Sequence, residues 1–291
     1  MKPWVKMQSW SSEDSKDIKA WFDLDNYLNF ESITLEKLYH ELWARIYFFK
    51  LDIQIEERMR KTVFNNFIQI TEGNPFLIGD NDLKYINMDD QLYQPPYLLL
   101  TTTERIANIS FTCMQRGYFF SDSPDQYHIV SHIENAYISE IMPEKFPSTV
   151  MVEIDLAAGT DDEIAESLRF ALPQWRKIKG IQPAPLNVGR FGLGTIKKII
   201  NYRLIPMIDI IAWATHRKVL VSDDRLSRLL YSDEDDDKTI RQGYHIRDAD
   251  RPLAMKATAI DFIRQFNLFL NKNPHLRNLR VSEVMKLSDS D

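Results

Sequence analysis

The chain has 291 residues, 44% of them hydrophobic and 12% aromatic, with a formal net charge of −6. That length buries a sizeable core and excludes a disordered chain, while 9 glycines are too few for a turn-rich all-β sandwich or a glycine-fingerprint nucleotide fold. A single cysteine excludes an internal disulfide and a cysteine-built zinc site, and no apolar run approaches the ~18 residues of a membrane span, so a soluble cytoplasmic protein without a membrane partner is expected.

The first strong helix signal begins at Thr34, a good N-cap. Leu35, Leu38, Leu42, Ile46 and Phe49 then recur at helical spacing. A second helix is predicted over 53–70, broken by Thr71-Glu-Gly-Asn-Pro75, and residues 76–96 read as an irregular loop. Another helix is predicted from about Thr102 to Gln115, stopped by Gly117, and another from Pro124-Asp125 to Met142. Thr149 to Leu156 is β-branched and alternating, which predicts a strand. Thr160-Asp-Asp-Glu163 is a capping box opening a helix to about Lys179, with Gly180 closing it and Pro173 predicting a kink.

The Pro/Gly-containing loop 182–194 reads as a linker. A long helix is predicted from Thr195 to about Thr215 with Pro206 inside it, then a shorter one capped by Ser222, an acidic loop over 232–237, and a last helix from Arg251 to Leu270 with Pro252 in its first turn. The fold expected is mainly α: two helical modules with a short strand-helix element at the junction. Residues 1–150 hold 14 Lys or Arg against 22 Asp or Glu, whereas 151–291 hold 22 against 20. That split predicts an acidic N-terminal module over 1–147, a C-terminal module with a basic face over 148–285, and a frayed tail over 286–291.

Candidate chemistry is sparse. His128 and His132, four apart on a predicted helix, share a face and are weak metal candidates lacking a third ligand in sequence. Glu153 and Asp155 fall on one face of the predicted strand, as a Mg²⁺-dependent nuclease would use them. The lysine expected two residues after a strand acid is absent, and capping explains the acids at 161–163. The glycines of Gly189-Arg-Phe-Gly-Leu-Gly194 lack P-loop spacing. Cys113 lies in an apolar run and reads as an inert buried thiol. A non-catalytic protein with no cofactor is therefore expected.

One feature points to a class of partner. Arg169 to Tyr231 carries twelve Lys or Arg against three Asp, and ends in a helix, a short break and a second helix, the outline of a helix-turn-helix. Lys197, Lys198, Arg203, Arg217 and Lys218 would position a nucleic-acid backbone, while Arg225 and Arg228, three apart, would share the face that meets phosphate or guanine. Asp223 and Asp224 oppose this. The alternatives are a solvated packing face or a protein partner engaged through the N-terminal half.

Glu153-Ile-Asp-Leu156 with Asp161-Asp-Glu-Ile164, Tyr202-Arg-Leu-Ile-Pro-Met-Ile-Asp-Ile210 with Trp213, and Arg251-Pro-Leu-Ala254 together resemble an uncharacterised bacterial family of unknown function. Ala20-Trp-Phe-Asp-Leu24 and Leu35-Glu-Lys-Leu-Tyr-His-Glu-Leu42 fit the same pattern. The resemblance implies proximity to mobile genetic elements, and with it a DNA-linked, regulatory or defence role. It supplies no catalytic residue. Pro206 and Asp209 are expected to bend and anchor their helix.

Overall fold

A computed structural model describes residues 7–49, 57–79, 81, 83, 98, 100–123, 126–183, 191–231 and 240–288. A two-residue strand β1 (Gln8–Ser9) precedes helices α1 (Ser12–Trp21), α2 (Leu24–Leu28), α3 (Leu35–Ile46) and α4 (Glu57–Thr71). Next come α5 (Thr103–Gln115), the hairpin strands β2 (Phe119–Ser123) and β3 (Gln126–Ile129), a short α6 (Ile138–Ile141) and the long α7 (Asp161–Lys179). The chain continues as α8 (Leu193–Asn201), α9 (Leu204–Arg217), β4 (Val219–Leu220) and α10 (Asp223–Leu230). It ends in α11 (Gly243–His245), a π-helical turn (Ile246–Asp250), α12 (Arg251–Ala257), α13 (Ile260–Lys272) and α14 (Val281–Leu287). The fold is mainly α, and β1 pairs parallel with β4 while β2 pairs antiparallel with β3.

Backbone contacts gather residues 1–99 and 190–291 into one unit and residues 100–189 into another. This grouping does not follow the 147/148 division expected from charge. In the larger unit α9 is the central pillar, because every residue from Leu204 to Ala214 is buried. A helix apolar on all sides has no wet face to show, so it must be enclosed. The helices α2, α3, α8, α10 and α12 pack around it. Leu35, Leu38, Leu42 and Ile46 of α3 are buried along the predicted stripe, each contributing roughly 1.5–3 kcal/mol of burial.

The 100–189 unit has a much smaller core. Among the described residues Cys113, Met142 and Phe146 are its buried apolar side chains, with Ile109, Tyr118 and Ile138 packed against them. The Lys179 ammonium donates to the carbonyls of Ser139 and Phe146, at 2.9 Å for the latter, and so ties the end of α7 to this cluster.

Local capping signals decide most helix starts. Thr34, Thr102 and Ser222 each accept an N3 amide, and Thr160 and Glu163 form the reciprocal box. Gly180 closes α7 at φ 63, and Gly117 follows α5 at φ 66. Pro173 lies inside α7 without ending it.

Four expected elements are corrected. Residues 149–155 form no strand: the Asp155 carboxylate accepts from the Ala157 amide at 2.9 Å, a local turn that competes with extended pairing. The helix predicted from Pro124 to Met142 is replaced by β3, a 3-10 turn at Ser131–Ile133 and α6. The helix predicted over 195–215 breaks where Arg203 takes φ 51, so Pro206 falls in the first turn of α9, where its missing N–H has no acceptor to lose. The last helix breaks after Ala257, where the Thr258 hydroxyl bonds back to the Met255 carbonyl at 2.8 Å. Helices α1, α2 and α14 were not anticipated, and α14 carries Lys286 and Leu287 of the expected frayed tail. Most of loop 76–96, residues 184–190 of the linker and the acidic loop 232–237 lie outside the described residues.

Candidate functional site

The strongest polar feature is buried. Arg45, on α3, donates Nε to Asp209 Oδ1 at 2.9 Å and Nη2 to Asp209 Oδ2 at 3.0 Å. Its Nη1 donates to the Glu41 carboxylate at 2.8 Å and the Glu41 carbonyl at 2.9 Å, and Nη2 reaches the Pro75 carbonyl at 2.6 Å. The Tyr27 hydroxyl adds a bond to Asp209 at 3.0 Å, and the amides of Leu77 and Ile78 donate to Glu41. Burial alone would push the Arg45 guanidinium down, but Asp209 and Glu41 hold it above its ordinary value. Burial pushes the Asp209 carboxyl up against the pull of Arg45. All five guanidinium N–H groups are committed to protein acceptors, which leaves no donor for a substrate. The network welds α2, α3, α9 and the 75–78 segment together, and its role is structural.

The basic candidates fall into three groups. Lys197, Lys198 and Arg203 lie on or just after α8, Arg217 and Lys218 close α9 about 20 Å along its axis, and Arg225 and Arg228 lie on α10. Arg203 donates to the Leu230 carbonyl and its guanidinium sits 4.5 Å from the Tyr231 ring centre. Arg217 Nη2 lies 2.7 Å from Asp17. Arg225 turns inward, 4.7 Å over the Trp10 ring, which itself packs on Trp213 at 5.5 Å. Arg228 Nε donates to the Asp224 carbonyl of its own helix at 3.2 Å. Lys198 and Lys218 are exposed and Lys197 is partly so. Asp223 is held by Arg251 at 2.7 Å, and the outward face of α10 carries Asp224 and Arg228.

The other unit carries a long exposed helix. The helix α7 has 19 residues and none is buried. Ile164, Leu168, Ala171 and Trp175 fall on one face at helical spacing and are only partly covered. Leu172 beside them is 42% exposed, Ile178 56% and Phe170 74%. Acidic Asp161, Asp162 and Glu163 fill its first turn, and Arg176, Lys177 and Lys179 its last. Phe111, Phe120, Tyr127, Tyr137 and Leu156 of the same unit are also exposed. Sequence reasoning identified this helix from its caps but assigned its surface no role. The stripe at i, i+4, i+7 and i+11 was the available signal.

The remaining candidates separate. His128 lies on β3, stacked 5.2 Å from Phe120, and His132 on the following 3-10 turn, so the helical spacing that paired them is absent. Among the described residues no group of three or more His, Cys, Asp or Glu is placed to hold a metal. Glu153 and Asp155 are exposed on an irregular segment and share no strand face. Cys113 is buried, 3.8 Å from the Met142 sulfur, and burial pushes its thiol up. Among the described residues no helix is long and apolar enough to cross a membrane.

A model of a protein family of unknown function (DUF6387) matches residues 14–267. That span includes the Arg45–Glu41–Asp209 network, α7 and α9. No curated protein and no solved structure matches the chain.

Proposed function

We propose that this chain, which belongs to the DUF6387 family of unknown function, is a non-catalytic interaction protein whose 100–189 unit docks on a partner protein through α7. The observation that carries this reading is a helix of 19 residues, apolar along one face, with no buried residue. A contiguous apolar surface of that kind marks an interaction site in a water-facing protein. The occupant we assign is an amphipathic helix of the partner running antiparallel to α7. Its basic turn would meet Asp161, Asp162 and Glu163, and its acidic turn Arg176, Lys177 and Lys179. The setting we attach is a bacterial defence or toxin-type assembly carried with mobile genetic elements.

A photo-crosslinking residue at Leu172, Ile178 or Phe170 in the native host tests this, with Asp162 as the control. The expected result is one discrete heteromeric adduct from the apolar positions and none from the control. An adduct of two identical chains would make a second copy the occupant and overturn the hetero-partner. No adduct at any of the three would remove the docking surface.

Nucleic-acid binding is the second reading. It is favoured by the exposure of Lys198, Lys218 and Arg228 beside a helix pair joined by five residues. Under it, affinity for duplex DNA falls steeply with salt. Lys198→Glu and Lys218→Glu should each reduce the slope. No binding at about 50 mM salt contradicts it.

A further inference from the structure

Where α8 ends and α9 begins, a cleft of about 400 Å³ opens beside α2, and it is built from the Tyr202-Arg203-x-x-Pro206 segment. That volume is within the range of about 300–1,000 Å³ typical of small-molecule sites. Arg203 forms the break, at φ 51, a left-handed conformation that is strained for a residue with a Cβ. Strain of this sort persists only where the surroundings over-determine it, and it concentrates at ligand sites.

Two guanidinium groups line the cleft, and both are fixed. Arg203 is stacked over Tyr231 at 4.5 Å and tethered to the Leu230 carbonyl. Arg241 lies 3.9 Å from the Tyr202 ring centre and grips the fully buried Asp250 through two bonds, one of 2.7 Å from Nη2. Arg241 commits Nε and Nη2 to Asp250, which fixes the plane of its fork at the cleft wall. Planar forks held in place by stacking recognise phosphate oxygens at little ordering cost. Leu28 and the tyrosine rings give the cleft an apolar side, and Glu31 at its lining accepts from hydroxyl groups.

We infer that this cleft binds a phosphate monoester with a ring-bearing, hydroxylated body, of nucleoside monophosphate size. The phosphoryl group lies at Arg203 and Arg241, and the ring lies along the tyrosines and Leu28. The site belongs to the larger unit and is independent of docking through α7.

Calorimetric titration of the full chain tests it with inorganic phosphate, adenosine and adenosine 5′-monophosphate as probes. The monophosphate should bind saturably, phosphate should compete with it, and adenosine should bind at least about tenfold more weakly, as loss of charge-assisted bonds requires. Arg203→Lys should weaken the monophosphate by about tenfold. Leu28→Trp, at a residue 51% exposed and so tolerant of substitution, fills the cleft and should abolish binding in a protein with an unchanged circular dichroism spectrum. Loss in either variant supports the site. No saturable binding by wild type, adenosine binding equal to the monophosphate, or binding unchanged in both variants overturns it.

Discussion

Asp209 is a carboxylate in the middle of a helix buried on every side, and its partner Arg45 is itself fully buried. Removing one member of such a set leaves the others charged and desolvated. Asp209→Ala should therefore destabilise the larger unit by about 3–5 kcal/mol, against about 1 kcal/mol for Tyr27→Phe, read from urea midpoints. Half of this was legible. An acid inside Leu204-Ile-Pro-Met-Ile-Asp-Ile-Ile had to be anchored, but an arginine 164 positions away cannot be found from spacing. His40 makes a second residue-level case. It is buried against Trp43, its Nε2 has no hydrogen-bond partner among the described residues, and burial pushes it from 6.5 down to about 4. A depressed histidine favours the fold while neutral, because between these values the unfolded chain binds the extra proton. Its contribution is full above pH 6.5 and is lost as pH falls towards 4, on the order of 3 kcal/mol. His40→Leu should flatten that limb of the stability–pH curve; an unchanged slope would place the titration elsewhere. Asp14, held low by the Ser11 hydroxyl and amide, loses its contribution only at lower pH.

At the scale of elements, what was legible is what depends on neighbours three or four residues away. The caps at Thr34, Thr102, Thr160 and Ser222 and the stop at Gly180 are of this kind. The strand expected over 149–156 required a partner strand, and its own side chain captures the backbone instead. The helix expected to run on to Met142 gives way at Gln126–Ile129 to a strand, which the pairing of Phe119 with Ile129 decides and which no neighbour three or four residues away announces. The break at Arg203 carries no glycine or proline to announce it. Pro173 is the reverse case: a breaker that α7 tolerates. It removes one helical bond and crowds the carbonyl four residues earlier. Because no residue of α7 is buried, intrinsic propensity should show through with little masking. Pro173→Ala should stabilise the 100–189 unit by up to about 3 kcal/mol in calorimetric unfolding. A destabilisation would mean that the tertiary structure needs the proline's shape.

At the scale of the whole molecule, mainly α architecture was legible from composition and periodicity, whereas the division of the chain was not. Charge changes sign near residue 150, yet residues 1–99 build their core with 190–291, and Gln8 pairs with Val219 across the sequence. Burial, which sequence periodicity reports only as an amphipathic stripe, separates the two units further. One is organised around a helix enclosed on all sides, the other, among the described residues, around three buried apolar side chains beside a long helix with no buried residue. Hydrogen exchange on the isolated protein tests the docking claim most directly, because local protection follows local packing. Amides of α9 should exchange only through global unfolding, and those of α7 at least about 100-fold faster, since no residue of that helix is buried. Amides of α7 exchanging as slowly as those of α9 would mean that its apolar face is already satisfied, and would contradict a docking role.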